Sequence, residues 1–194
     1  MTNRLYQKQI GEYLFETYDD RPEFEFDEVK QIHSSNIAKS PTNEKIEADG
    51  LISSLTLATP LAIKTADCLP IVVIGELGVA NLHAGWRGLA QGIVISDDIK
   101  ALRPHTFLIG PHISAKNYEV SEEFKQNFPN SNAFKMIEGR LCFDMQQEVE
   151  DQIRKNFMSA QVICANICTF ANLNYNSFRR NQTTKRNYNI LKRN

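Results

Sequence analysis

Apolar positions along this chain fall into short dense runs, LAIKT, LPIVVIG, VANLHA, TFLIG and QVICANI, rather than long periodic stretches. Runs of this length bounded by Gly, Pro, Asp and Asn read as buried strands. ATPLAIKTADCLPIVVIG is two strands interrupted at the Asp67-Cys68-Leu69-Pro70 corner, and VANLHAGWRG is a third. Gly85 and Gly88 there allow a sharp turn into a helix expected from about Leu89 to Leu102. VKQIHSSNI reads as a short strand ending in a polar turn, and TFLIGPHI as a strand closed by Gly-Pro. SEEFKQNF is expected to be a short helix with Ser121 as N-cap. The helix DMQQEVEDQIRKNF has Asp144 as cap, Gln147 three residues on, and an apolar stripe of Val149, Ile153 and Phe157. Strands outnumber helices without strict alternation, so the expected fold is α/β, with mixed β-sheets flanked by helices.

Composition narrows the class. With 194 residues and no internal repeat, residues 1–194 are read as one catalytic domain. The 22 basic and 23 acidic residues give a formal charge of -1, which implies no nucleic-acid partner and no membrane surface. The exception is RRNQTTKRNYNILKR, Arg179 to Arg193, read as a solvated face, with a phosphate or polyanion contact as the alternative. No apolar run reaches the roughly 18–20 residues of a membrane span, and MTNRLYQKQIGEYLF does not read as a leader. The expectation is a cytoplasmic monomer whose cysteines, Cys68, Cys142, Cys164 and Cys168, are reduced.

His33, His83 and His112 each lie at or near the end of an apolar run, as does Cys68 at the head of one. Strand ends that open into loops are where a rigid scaffold converges side chains on a pocket. Histidines with a cysteine are a suitable zinc set with a position left open, which is a catalytic rather than a structural arrangement. The same residues admit a metal-free reading, with Cys68 as nucleophile, His83 as base and Asp67 or another carboxylate as orienter. They also admit a bland one, with Cys68 as a small buried hydrophobe. Arg87, beside the expected helix start, could hold phosphate or carboxylate, and Arg179 and Arg180 make the same offer. Trp86 is read as packing. Cys164 and Cys168, four apart, are read as two thiols packed on one strand face.

ADG at 48–50, TADCLP at 65–70, HAGWRG at 83–88, IGPHI with YEV at 109–120, and CT followed by SFRR at 168–180 resemble the YfiH-type proteins. These are also called laccase-domain or polyphenol oxidase proteins and purine nucleoside phosphorylases. The resemblance implies an α/β layered fold related to toxin deamidases, which use a cysteine–histidine pair. It also implies one Zn2+ on the residues matching the family's ligands, His33, Cys68 and His83, with zinc as Lewis acid and water activator. The implied partners are purine nucleosides and phosphate, the implied activities phosphorolysis of adenosine, inosine, guanosine and methylthioadenosine and deamination of adenosine. Arg87, with Arg179 or Arg180, would hold phosphate, and Asp67 would orient an imidazole or handle protons. Alternatives are a Cys/His hydrolase or amidase acting on a peptidoglycan precursor, and a non-catalytic nucleoside-binding protein. The family's copper oxidase label fits poorly with only four histidines. The chain departs from the family pattern in having Ser34 after the first histidine, GPHIS for GPCIG, and Lys185-Arg186-Asn187 after SFRR. The family's glycine- and serine-rich segment before the first histidine has no match in residues 1–30.

Overall fold

A computed structural model describes residues 2–42 and 45–194. The chain opens with an antiparallel hairpin, β1 (Arg4–Ile10) and β2 (Tyr13–Tyr18), to which the sequence reading assigned no element. Then come β3 (Ile37–Lys39), β4 (Gly50–Ser53), β5 (Leu61–Thr65), β6 (Leu69–Gly75) and β7 (Val79–Ala84). Short helices α1 (Trp86–Ala90) and α2 (Asp97–Ala101) lead into β8 (Pro104–Ile109). A small hairpin, β9 (Phe134–Ile137) with β10 (Arg140–Phe143), precedes α3 (Met145–Asn156). The chain continues through β11 (Gln161–Cys164), a one-turn helix α4 (Phe178–Asn181) and β12 (Asn187–Arg193).

Six strands form a mixed sheet in the order β11-β8-β6-β7-β4-β3, parallel at its two outer pairs and antiparallel within. The other main sheet, β1-β2-β12-β5, is antiparallel throughout. Strand β6 shows why the central runs are uniformly apolar. Leu69, Ile71 and Val73 pack into one core with Leu89, Ile93, Val149 and Ile153 from the helical side. Val72 and Ile74 pack into the other core with Phe15, Leu61 and Leu191 from the four-stranded sheet. A strand covered on both faces has no polar face to alternate with. The architecture is the expected mixed α/β one.

Local expectations fare unevenly. Helix α3 is capped as read, with the Asp144 carboxylate accepting the Gln147 N–H and Val149 and Ile153 buried. The helix expected over 89–102 is broken into α1, a 3₁₀ turn at Ile93–Ile95 and α2. Gly92 at φ +75° ends the first piece, and the Ser96 hydroxyl accepts the Ile99 N–H to start the last. Glu122–Asn127 is 3₁₀ helix, and the Ser121 side chain makes no cap bond. The expected strand through His33 is absent, because His33 itself sits at φ +60° and regular structure resumes only at Ile37. The basic tail is a solvated face only in its first half, where Arg179, Asn181, Gln182, Thr184 and Lys185 are exposed. It supplies β12, buried between β2 and β5 at Asn187, Asn189, Ile190 and Leu191, with Lys192 2.6 Å from Glu16. No helix of the described residues is long and apolar enough to cross a membrane.

Candidate functional site

Strands β6 and β7 are antiparallel neighbours, with Pro70 opposite His83, so the head of one and the end of the other meet. This brings Cys68, just before β6, to His83, near the end of β7. A bend carries His33 onto the same spot. The ligating atoms of the three residues lie within 4.8 Å of one another, and the two imidazoles meet edge to face at 4.8 Å between centroids. His83 is buried, Cys68 half-buried and His33 exposed, so the cluster has an open side. His112 is buried elsewhere and does not join it.

Asp49, fully buried at the start of β4, holds two of the three. Its carboxylate accepts the N–H groups of Ile32 (3.2 Å), His33 (3.0 Å) and Ser34 (2.6 Å) and the Ser34 hydroxyl (2.8 Å). Successive N–H groups converging on one anion fix a turn that puts His33 at positive φ. Asp49 also accepts from His83 Nδ1 at 2.7 Å, which places that ring's hydrogen on Nδ1 and turns Nε2 toward Cys68. Burial raises the Asp49 carboxyl, but His83 and Ser34 outweigh it and bring the group to about 2. Burial likewise raises the Cys68 thiol, yet the charge of His83 and a hydrogen bond from His33 bring it down to about 6. His83, against its burial, is held at about 9 by Cys68 and Asp49. Each partner thus favours the charged form of the other, the thiol toward thiolate and the imidazole toward imidazolium.

The imidazole orienter is Asp49, not Asp67. Asp67 has φ +93°, a strained conformation for a residue with a side chain. Its carboxylate accepts Thr169 Oγ1 (2.7 Å), Ser177 Oγ (3.0 Å) and the Arg179 N–H (2.7 Å), while its carbonyl accepts the Ile113 N–H (3.0 Å). These contacts pin the corner that presents Cys68. Gly85 closes over the cluster: a Cβ there would stand 3.2 Å from Cys68 Sγ, 3.3 Å from the His33 ring and 3.9 Å from His83 Nε2.

Two clefts flank the cluster and share His33, Ala66, Cys68 and Phe178. One, about 260 Å3, is walled by Trp86, Arg87, Tyr118 and Arg179. Its guanidiniums lie over aromatic rings, Arg87 at 4.4 Å from Trp86 and Arg179 at 4.9 Å from Tyr118. Trp86 thus packs against Phe124 and also faces the cleft. The other cleft, about 510 Å3, adds Lys64 and Arg186, the latter unsuspected as a site residue. Arg180 is not available to either cleft, since its guanidinium donates to the carbonyls of Thr169, Phe170 and Tyr175. Nor do Cys164 and Cys168 share a strand face: Cys164 ends β11 and Cys168 lies in the loop beyond.

Residues 17–193 match the family model described as multi-copper polyphenol oxidoreductase laccase. A protein of Aquifex aeolicus (strain VF5) named purine nucleoside phosphorylase is 34% identical over 163 residues, 80% of this chain and 77% of that one. Purine nucleoside phosphorylase YfiH of Escherichia coli (strain K12) is 31% identical over 173 residues, covering 81% and 70%. Among solved structures, protein NMB0706 of Neisseria meningitidis superposes with a TM-score of 0.73 at 26% identity, over 86% of this chain and 74% of that one. A YfiH protein of Bacillus licheniformis shares the fold with a TM-score of 0.72 at 21% identity, over 87% and 74%.

Proposed function

The chain belongs to the multi-copper polyphenol oxidoreductase laccase family, and from that membership we propose that it is a zinc-dependent purine nucleoside phosphorylase that also deaminates adenosine. The observation that carries this reading is the His33–Cys68–His83 cluster opening onto a cleft walled by aromatic rings and guanidiniums. Relatives named for purine nucleoside phosphorolysis supply the reaction class. Two imidazole nitrogens and a thiolate suit zinc, whereas magnesium and calcium take oxygen ligands. Tetrahedral zinc with bonds of about 2.0–2.3 Å needs ligand atoms about 3.3–3.8 Å apart, so a set within 4.8 Å closes by a small contraction. The absence of a side chain at Gly85 leaves room for it.

Zinc on these residues would supply Lewis acidity at the open side of the cluster. The chain's own groups do the rest. Asp49 holds His83 in the tautomer that offers Nε2, and Asp67 fixes the corner bearing Cys68. Trp86 and Tyr118 offer ring faces to a purine, and Arg87 and Arg179 bring permanent positive charge to phosphate. In phosphorolysis a phosphate oxygen bonds to the anomeric carbon while the glycosidic C–N bond breaks and the purine leaves with the electron pair. Cationic side chains that hold both charges steady lower that barrier. Adenosine, inosine, guanosine and methylthioadenosine are the proposed substrates.

The test is to incubate metal-quantified protein with each nucleoside, with and without phosphate, and separate the products. Free base formed only with phosphate supports the phosphorylase, and inosine from adenosine supports the deaminase. No change in any nucleoside with one zinc per chain would end the purine assignment.

One observation favours a second reading. Cys68, His83 and Asp49 form a nucleophile–base–orienter chain with the thiol already at about 6. A metal-free amidase or hydrolase acting on a peptidoglycan precursor would use it. Activity that persists at full rate after exhaustive chelation selects that reading over the zinc enzyme.

A further inference from the structure

A second cavity, about 350 Å3, lies back to back with the aromatic cleft. His112 and Asp144 line it, while their neighbours Ile113 and Met145 line the cleft. Cys168 lines it too, half-exposed, in a setting unlike that of any other cysteine here. Its sulfur accepts the Ser114 N–H (3.3 Å), the Ser114 hydroxyl (3.2 Å) and the Asn117 amide (3.3 Å). Three donors converging on one sulfur stabilise a thiolate without any neighbouring cation. Burial pushes this thiol up, but the Ser114 bonds and the others outweigh it and hold it below the ordinary range.

The cavity holds an unused acceptor as well. His112 is only 4% exposed, and its Nδ1 lies 2.8 Å from the Gly110 carbonyl. A carbonyl can only accept, so Nδ1 carries the hydrogen and Nε2 bears a lone pair. Nε2 has no hydrogen-bond partner among the described residues. Burial keeps the ring neutral, so the lone pair stays free. Cys168 and His112 are bridge partners, with the Thr169 N–H on the His112 carbonyl (2.9 Å) and the His112 N–H on the Ile167 carbonyl (3.1 Å). Parallel bridge partners project from the same face.

We propose that Cys168 is a second reactive thiol, at a site that binds a small hydroperoxide and reduces it. The sulfur's electron pair forms an S–O bond to one peroxide oxygen. The O–O bond breaks, and the other oxygen departs as hydroxide from hydrogen peroxide, or as alkoxide from an organic hydroperoxide, carrying the negative charge the thiolate held until a buffer acid protonates it. Sulfur is oxidised by two electrons to the sulfenic acid, and the peroxide is reduced to water or an alcohol. His112 Nε2 accepts the peroxide O–H and orients it, while Ser114 and Asn117 hold the sulfur in its reactive form. Cys164 offers the internal contrast: burial, and then the Glu150 carboxylate to which its thiol donates (3.6 Å), push it up to about 11.

The proposal is tested on the full-length folded protein with hydrogen peroxide and dimedone, locating adducts by peptide mapping. Cys168 should be trapped about tenfold or more faster than Cys164, and the preference should vanish in urea. His112→Asn separates a peroxide site from simple thiolate reactivity, because the Asn amide can keep the bond to Gly110 while removing Nε2. It should slow sulfenic acid formation about tenfold, the worth of one well-placed hydrogen bond, and leave alkylation by iodoacetamide unchanged. Equal trapping of Cys168 and Cys164 in the folded protein overturns the proposal. So does a His112→Asn variant with a wild-type peroxide rate, or one that slows alkylation as much as oxidation. None of these outcomes depends on whether the protein turns over nucleosides.

Discussion

Asp49 and Asp67 are two buried carboxylates serving one cluster, and they do so in opposite ways. Asp49 draws its donors from a compact neighbourhood, the 32–34 turn and His83, and touches a ring of the cluster directly. Asp67 touches no ligand atom and gathers donors from residues 102 to 112 positions away, Thr169, Ser177 and Arg179. The first sets the chemistry of an imidazole, and the second sets where a loop sits. The difference separates a carboxylate whose loss reaches the His33–Cys68–His83 cluster from one whose loss reaches the fold.

Asp49→Ala should have the larger effect. In the proposed zinc site, removing the hydrogen-bond partner of His83 should weaken metal affinity and activity by about 10–100-fold. Five donors left without an acceptor should also cost about 3 kcal/mol of stability. Metal per chain after dialysis against a weak chelator, together with the thermal midpoint, reads both. Asp67→Asn should cost about 2 kcal/mol, because an amide cannot accept from all three donors, yet bound metal per chain should stay near wild type. If Asp67→Asn loses metal as readily as Asp49→Ala, the distinction collapses.

Acid sharpens the comparison at smaller magnitude. Asp49 titrates at about 2 in the fold against an ordinary 3.8, so its stabilisation is complete above about 4 and lost as pH falls toward 2. Urea midpoints of the metal-stripped protein should fall over that window, and Asp49→Asn should flatten the fall. The smallest effect is expected at Gly85→Ala. A methyl 3.2 Å from Cys68 Sγ must displace it slightly, lowering kcat a few-fold while the thermal midpoint moves by the equivalent of about 1 kcal/mol or less.

The sequence made β6, β7, β8 and β11 of the six-stranded sheet legible as dense apolar runs, and β6 and β7 delimit themselves, whereas the short edge strand β3 and its neighbour β4 left no such run. Cys68 and His83 could be placed from those runs alone, since each sits where one begins or ends. His33 could not, because its position comes from a non-repetitive turn nucleated by Asp49. The ADG motif marked Asp49 without revealing its role, whose partners become neighbours only when β4 pairs with β7. Ser34, which departs from the family's usual glycine, adds its hydroxyl to the donors on Asp49 beside a backbone N–H that glycine would also supply. Arg179 and Arg180 are adjacent and chemically alike. Arg179 lines the cleft with one bond to the Glu119 carbonyl (2.9 Å), while Arg180 is held by the carbonyls of Thr169, Phe170 and Tyr175, and residue type carries no trace of that choice. The tail read as a charged surface because its alternation NYNILKR is short and flanked by cations, yet Leu191 packs into the core between the sheets and Ile190 is fully buried on the opposite face of the strand.

The placement of β12 between β2 and β5 has a consequence for biosynthesis. On the ribosome both neighbours emerge long before the strand that joins them, so the N-terminal hairpin waits beside a sheet it cannot yet enter. Ser177 and Arg179 emerge just before β12, and until they arrive the Cys68 corner lacks two of the donors that hold Asp67 in its strained turn. Pairings of such long sequence separation form late. The corner that presents Cys68 is therefore completed by segments that leave the ribosome more than a hundred residues after it.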